Sequence, residues 1–411
     1  MNLSPKPRIA VLGAGPIGLE AALYARTLGY PVTVYEADRV GHHLLDWGHV
    51  VLFTPWAQDV SPLGERRIRE TGIARADRDP EACPTGEKLV RDYLTPLTLL
   101  PEMEGVVREG RRAAAIGREG MLKGQGQGDG SRAGVPFRIL VESPEGESVE
   151  QADVVIDATG VYGQPNPLGR GGIPATGERS LAARIDSGLP DVEGRARARY
   201  EGLRVLVVGG GLSAATTVTA LSRLPGTRVH WATLSGAPPI EEIASDPLPS
   251  RLALARAANR LALDPPPGFI HHSGTSVTSL LERGGGVEVR LLSPRGETAV
   301  LVDRVIAQTG FRPDSHLHRE LQIHQCYASE GPMKLAAALL GGGSSDCMTQ
   351  TGFGPDSLTS PESDFFLAGH KSYGRGSQFL LRIGLEQIRD IFRLVSSDPT
   401  LDLYAGDASR V

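Results

Sequence analysis

The chain has 411 residues, enough for two or three domains, and 40% hydrophobic against 22% charged residues excludes disorder as its general state. Lys+Arg 43 against Asp+Glu 48 gives a net charge of −5, too near neutral for a nucleic-acid binder or a polybasic membrane binder. Three cysteines exclude a disulfide framework and suit a reducing compartment, so a cytoplasmic location is expected.

The sequence enters an apolar strand at 8–12 with no secretory pattern before it. Its longest apolar stretch, 9–25, is short for a membrane span and carries Glu20. The pattern predicts a glycine-rich turn at 13–18, a helix over 19–28 and a second strand at 31–35, one βαβ unit. The aromatic and His-rich stretch 41–62 has no period and reads as a packed loop. A helix is expected at 88–94, a hairpin tip or mobile loop at 118–134, and strands at 137–141 and 154–156. A Pro/Gly-rich connection, 163–172, is a candidate domain crossing. The βαβ unit then returns: strand 204–208, glycine turn 209–214, helix 215–224, strand 227–232. This is a domain-scale duplication. Strands 287–292 and 299–305 flank a hairpin signal at 293–296. A helix at 333–340, a Gly/Ser-rich stretch at 341–345, a strand and turn at 364–370 and a terminal helix over 379–394 complete the chain.

In the first glycine turn, Gly13 permits a tight bend and Gly15 lets backbone approach a pyrophosphate at the helix N-terminus, beside Pro16 and Ile17. Gly18 allows close helix–strand packing. Glu36 ends the second strand, where a carboxylate accepts from ribose hydroxyls and disfavours a 2′-phosphate. The first site is therefore read as holding FAD or NAD. The second turn, Gly209 to Gly211 followed by Leu212, Ser213 and Ala214, has Ala in the third place. No acid ends its second strand, which permits NADP.

With Thr159-Gly160 and Thr309-Gly310 at strand ends and Gly369-His370 before the terminal helix, the chain resembles the two-dinucleotide-binding-domain flavoproteins. That superfamily includes thioredoxin-reductase-like enzymes and class B flavin monooxygenases. The resemblance implies an α/β fold with two Rossmann-like domains, the FAD domain discontinuous (1–165 and 307–411) and the NAD(P) domain inserted (166–306). It implies FAD in the first site and NADPH or NADH in the second. The late motif is normally Gly-Asp; here His370 stands in the Asp place. Trp47 and His49 fall where aromatics and donors shape a flavin pocket.

The branch rests on absences. No Cys-x4-Cys follows Glu36, and no cysteine lies between Cys83 and Cys326, so neither established flavin–disulfide arrangement is present. The class B fingerprint before the second glycine turn also lacks its His. A monooxygenase acting on a small nucleophilic substrate is the leading expectation. An NAD(P)H-dependent reductase using Cys326 and Cys347, or a flavin-binding redox sensor, is the alternative. Lys371, one of five lysines, and Tyr373 are candidate active-site residues at the start of the terminal helix. Two adjacent His pairs, His42-His43 and His271-His272, lack the Cys/His spacing of a zinc site, so no metal is expected. No nucleic-acid or membrane partner is expected; the oligomeric state is open.

Overall fold

The computed structural model describes residues 6–74, 78–341, 348, 350 and 352–405. It divides into two compact units, Met1–Gly163 with Arg312–Val411, and Gln164–Phe311. Among the described residues no helix is long and apolar enough to cross a membrane.

The first unit opens with β1 (Ile9–Leu12), α1 (Pro16–Thr27) and β2 (Val32–Tyr35). Every residue of β1 is buried because both its faces are covered. Ile9 and Val11 pack in the cluster that holds α1, while Ala10 and Leu12 pack on a three-stranded meander. This explains a continuous apolar run in place of alternation. Short helices α2 (His42–Asp46) and α3 (Trp56–Asp59) occupy the stretch expected to be loop, followed by α4 (Pro62–Thr71). Gly41, at φ +66°, turns the chain into α2, and Ser61 Oγ caps α4 by accepting from the Gly64 N–H at 2.8 Å. One helical stretch follows: α5 (Gly86–Leu89), a π turn over Val90–Leu94 and α6 (Thr95–Thr98).

Then come β3 (Val107–Arg108), the meander β4 (Arg112–Arg118), β5 (Phe137–Ser143) and β6 (Gly146–Ala152), and β7 (Val154–Asp157). The glycine-rich segment between β4 and β5 is not the free tip the composition suggests. Arg118 and Arg132 both bond the buried Glu362 carboxylate, at 2.7 and 2.8 Å, and Arg118 also donates to Ser363 O and Val135 O. This buried cluster ties the segment to a region more than 200 residues away in sequence.

The second unit contains β8 (Ile185–Ser187), β9 (Arg204–Val208), α7 (Leu212–Leu221), β10 (Arg228–Ala232), α8 (Pro249–Leu263) and β11 (Phe269–His272). Its meander is β12 (Ser276–Arg283), β13 (Gly286–Ser293) and β14 (Gly296–Val302), and β15 (Arg304–Ala307) completes the sheet. The run expected as one strand over 299–305 is two. Asp303 sits between them, its carboxylate taking the Arg204 N–H and guanidinium, and the chain passes there from the meander into the parallel sheet. The first unit receives the chain back with α9 (Met333–Gly341), β16 (Phe365–Leu367) and α10 (Leu381–Ser396).

The two parallel sheets run β16-β7-β1-β2-β3 and β11-β10-β9-β15-β8. In each, the strand that leads into a glycine turn is central. Leu12 pairs with Tyr35 and Asp157, and Val208 with Ala232 and Ala307. Ligand sites in open α/β sheets lie outside such carboxyl ends.

Candidate functional site

In the first unit, Gly13 has φ +92°, and a Cβ there would lie 2.9 Å from Ala158 O. A Cβ on Gly18 would meet Gly13 O at 1.9 Å, so helix and turn touch only because both residues are glycine. Gly15 is the extended N-cap of α1; it has no side-chain cap, and a Cβ there would meet nothing within 4 Å. The turn therefore leaves helix N–H groups uncapped beside open space, the arrangement that accepts an anion. Pro16 occupies the first helical turn. The Ile17 side chain is buried against Gly369 and Gly384, so only its backbone is available to a ligand. Glu36 Oε2 accepts from the Ala14 N–H at 2.7 Å and Oε1 from the Asp38 N–H at 2.9 Å. This fixes a carboxylate beside the glycine turn.

Beyond the ends of β7 and β16, Gly160 and Gly369 both have left-handed φ, +70° and +67°. The Gly369 N–H donates to Gln387 Oε1 on α10 at 2.9 Å, and Gln387 Nε2 reaches Ser372 Oγ at 2.9 Å. His370 stacks on Phe379, centroids 5.6 Å apart, and meets Tyr162 edge-on at 6.2 Å. Its Nε2 lies 3.1 Å from Gly376 O, and a carbonyl only accepts, so Nε2 carries the proton and Nδ1 is an acceptor. Burial lowers the His370 pKa and keeps the ring neutral. Trp47 joins this aromatic group, 6.2 Å from Tyr162, and its buried Nε1–H has no hydrogen-bond partner among the described residues. An unmet buried donor in this aromatic group fits a polar ligand. His49 is half-buried in the segment after α2.

Two expected site residues are placed differently. Lys371 is fully buried, its Nζ 2.6 Å from Asp157 Oδ2 and 2.9 Å from Thr159 Oγ1. Thr159 Oγ1 in turn donates to Asp157 Oδ1 at 2.7 Å, and His318 Nδ1 lies 3.7 Å from Asp157 Oδ2. Burial pushes the Asp157 carboxyl up, but Lys371 and His318 outweigh it and hold the group well below the usual carboxylate range. Lys371 is thus a clamp under the Thr159-Gly160 turn. Tyr373 is also buried, edge-on to Phe379, and desolvation raises its phenol to about 12. Cys326 is buried in a turn whose Ser329 O accepts from the Arg375 N–H at 2.8 Å. Hydrogen bonds from Ser329 and from Ala328 lower its thiol pKa. Its candidate partner Cys347, with most of the Gly/Ser-rich stretch, lies outside the described residues.

The second unit repeats the first motif. Gly209 has φ +142°, and a Cβ there would meet Gln308 O at 2.1 Å. The fully buried Trp231 donates Nε1–H to Gly209 O at 2.8 Å, a restraint on the turn that the glycine pattern does not reveal. Gly211 is an extended, uncapped N-cap for α7 with nothing within 4 Å of a Cβ. Leu212 and Ser213 form the first turn of α7, and Ala214 is fully buried in the third glycine place. Gly310 has φ +81°, and Thr309 Oγ1 donates to Asn166 O at 2.6 Å. Beyond β10 stand Thr233, Leu234, which is 81% exposed, and Ser235.

No family model and no curated protein matches the sequence. Solved structures do match. A bacillithiol disulfide reductase from Bacillus cereus superposes with a TM-score of 0.65 at 16% identity, covering 95% of this chain and 99% of its own. An ornithine N-hydroxylase from Kutzneria sp. 744, solved with reduced FAD, NADP+ and L-ornithine, gives 0.63 at 16%, covering 96% and 99%. A flavin monooxygenase from Stenotrophomonas maltophilia gives 0.59 at 19%, also covering 96% and 99%. The chain has the fold of the two-dinucleotide-binding-domain flavoproteins, shared by disulfide reductases and flavin monooxygenases.

Proposed function

We propose that the protein is a flavoprotein oxidoreductase that holds FAD at the β1–α1 turn, takes NADPH or NADH at the β9–α7 turn, and oxygenates a small nucleophilic substrate. The observation that carries the reading is the doubled geometry: two buried central strands, each ending in a glycine turn before an uncapped helix with open space at its N-cap glycine. FAD, when bound, supplies hydride acceptance and oxygen reduction. The protein's part is to bind, orient and keep water out. The first N–H groups of α1 take the pyrophosphate, and the remaining lone pairs of Glu36 take ribose hydroxyls. His370 offers a neutral acceptor nitrogen and Trp47 a donor, and the rings of Tyr162, His370 and Phe379 give the site an apolar wall. In the second unit α7 takes the nicotinamide dinucleotide, and the lack of an acid after β10 favours NADPH.

Purified protein is expected to be yellow and to release FAD on denaturation. Gly15→Val fills the open approach to α1 and should give folded, colourless protein; a variant with full flavin absorbance would place FAD elsewhere. Gly211→Val should keep FAD but slow bleaching by NADPH about tenfold or more, a loss of ~1.4 kcal/mol or greater in binding. Equal bleaching rates in both proteins would sink the second assignment.

A thiol-linked reductase using Cys326 is the second reading, supported by the fold's likeness to a bacillithiol disulfide reductase. A long-wavelength band on two-electron reduction that Cys326→Ser abolishes would establish it over the monooxygenase. An oxygenated product formed equally by wild type and Cys326→Ser would exclude it.

A further inference from the structure

We propose that His42, His43 and Asp46 of α2, beside the Tyr162 ring, form a binding site for one divalent transition-metal ion, Zn2+ by its chemistry. Gly41 starts the helix, and the spacing i, i+4 sets His42 and Asp46 on one face. His42 Nε2 lies 3.8 Å and His43 Nδ1 3.3 Å from the same oxygen, Asp46 Oδ2. One ligand atom from each of the three residues falls within 4.8 Å of the others. Ligands bound at the usual Zn–N and Zn–O lengths in a tetrahedron stand about 3.3 Å apart, so small side-chain rotations close the set on an ion. Two imidazoles and one carboxylate are a donor set for Zn2+, Co2+ or Ni2+ rather than Mg2+ or Ca2+.

The fourth residue of the cluster strengthens the case. Asp38 Oδ1 lies 3.4 Å from His42 Nδ1, the nitrogen that would not bind metal. That nitrogen is itself buried and makes no hydrogen bond among the described residues. With an ion on Nε2, a small rotation would let Nδ1–H donate to the Asp38 carboxylate, the backing that orients and strengthens a metal-bound imidazole. Half-exposed His–Asp pairs contribute little to folding. Stability therefore gives no reason to aim two imidazoles at one carboxylate oxygen. Three protein ligands leave a position open for water or an anionic ligand, and the partial exposure of all three provides the entry path.

The test is titration of tag-free, full-length protein with Co2+, followed by visible absorption, and with Zn2+, followed by calorimetry. One ion per chain and a Co2+ ligand-field band are expected. His42→Ala and His43→Ala should each weaken binding about tenfold or more, and Asp38→Asn about tenfold. The His271→Ala/His272→Ala control, in the other unit, should bind as wild type. These side chains are partly exposed, and circular dichroism verifies that each variant is folded. No saturable uptake, or uptake unchanged by His42→Ala and His43→Ala, would overturn the proposal whether or not the protein holds flavin.

Discussion

Lys371→Met should cost about 3–5 kcal/mol of stability, the expected penalty for breaking a buried ion pair by removing one partner. Lys371 and Asp157 are both fully buried, and the ammonium is the cation that offsets the desolvation of that carboxylate. Thr159 and the neighbouring His318 would then be left to face a buried carboxylate without its ammonium. The double variant Asp157→Asn/Lys371→Met removes the charge as well and should recover most of the loss. The pH profiles separate the states. In wild type the Asp157 pKa is depressed, so its contribution is present above the unfolded carboxyl range and is lost as pH falls towards the folded value. In Lys371→Met burial dominates, the pKa rises, and the variant should be relatively more stable at pH 5 than at pH 8. Urea midpoints across that range measure both effects. A single variant within about 1 kcal/mol of wild type, or a double variant no better than the single, would show that the pair is not the clamp described.

Lys371 also marks where sequence reading ends. A rare lysine after the late glycine and before the terminal helix looks like an active-site cation. Its partner lies 214 positions earlier, and only the pairing of β16 with β7 brings the two together. The glycine turns were legible because their requirements are local. Gly13, Gly18 and Gly209 are needed by backbone within one strand–turn–helix unit or its neighbouring strand, and no other residue fits. The duplication was legible for the same reason, yet its most exact signature was not. Arg8 meets Asp153 just as Arg204 meets Asp303: backbone N–H at 2.8 Å and Nε at 3.1 Å to one oxygen, with a second guanidinium nitrogen on the other. Each Asp sits where a meander passes into the parallel sheet. Among 43 basic and 48 acidic residues, two such pairs separated by 145 and 99 positions carry no local signal. Composition misled over 118–134, where the glycines suggest freedom but two buried arginines on Glu362 fix the segment. In the site, the Thr-Gly turns and His370 were readable, whereas the His370 tautomer, set by Gly376 O, and the Trp231 bond to Gly209 need coordinates.

Glu20→Gln should become progressively more stable than wild type as pH rises from about 4.5 to about 7. Glu20 projects from α1 into the core, fully buried, with Ser61, Tyr93 and Tyr404 around it. Burial drives its carboxyl up to about 7, outweighing the nearby Ser61 and Tyr404 hydroxyls, which pull it down. Asp59 is a second buried acid, likewise raised to about 7 by desolvation, with Thr54 Oγ1 donating at 2.7 Å. Between the unfolded and folded pKa values the native state holds a proton that the unfolded chain has released. Stability therefore declines by about 1.4 kcal/mol per pH unit for each acid and levels off above the folded value. Over this window each acid accounts for about 3 kcal/mol, of the same order as a large mutational effect. Gln keeps the size of Glu20 and donates to hydroxyl oxygens without ionising. Glu20→Gln should match wild type near pH 4.5 and exceed it by about 3 kcal/mol at pH 8. Adding Asp59→Asn should widen the difference from wild type further over the same window. Urea unfolding at several pH values measures the difference directly. A Glu20→Gln variant whose difference from wild type is the same at pH 4.5 and pH 8, or that loses more stability at pH 8, would show that this carboxyl is ionised and paired in the folded core.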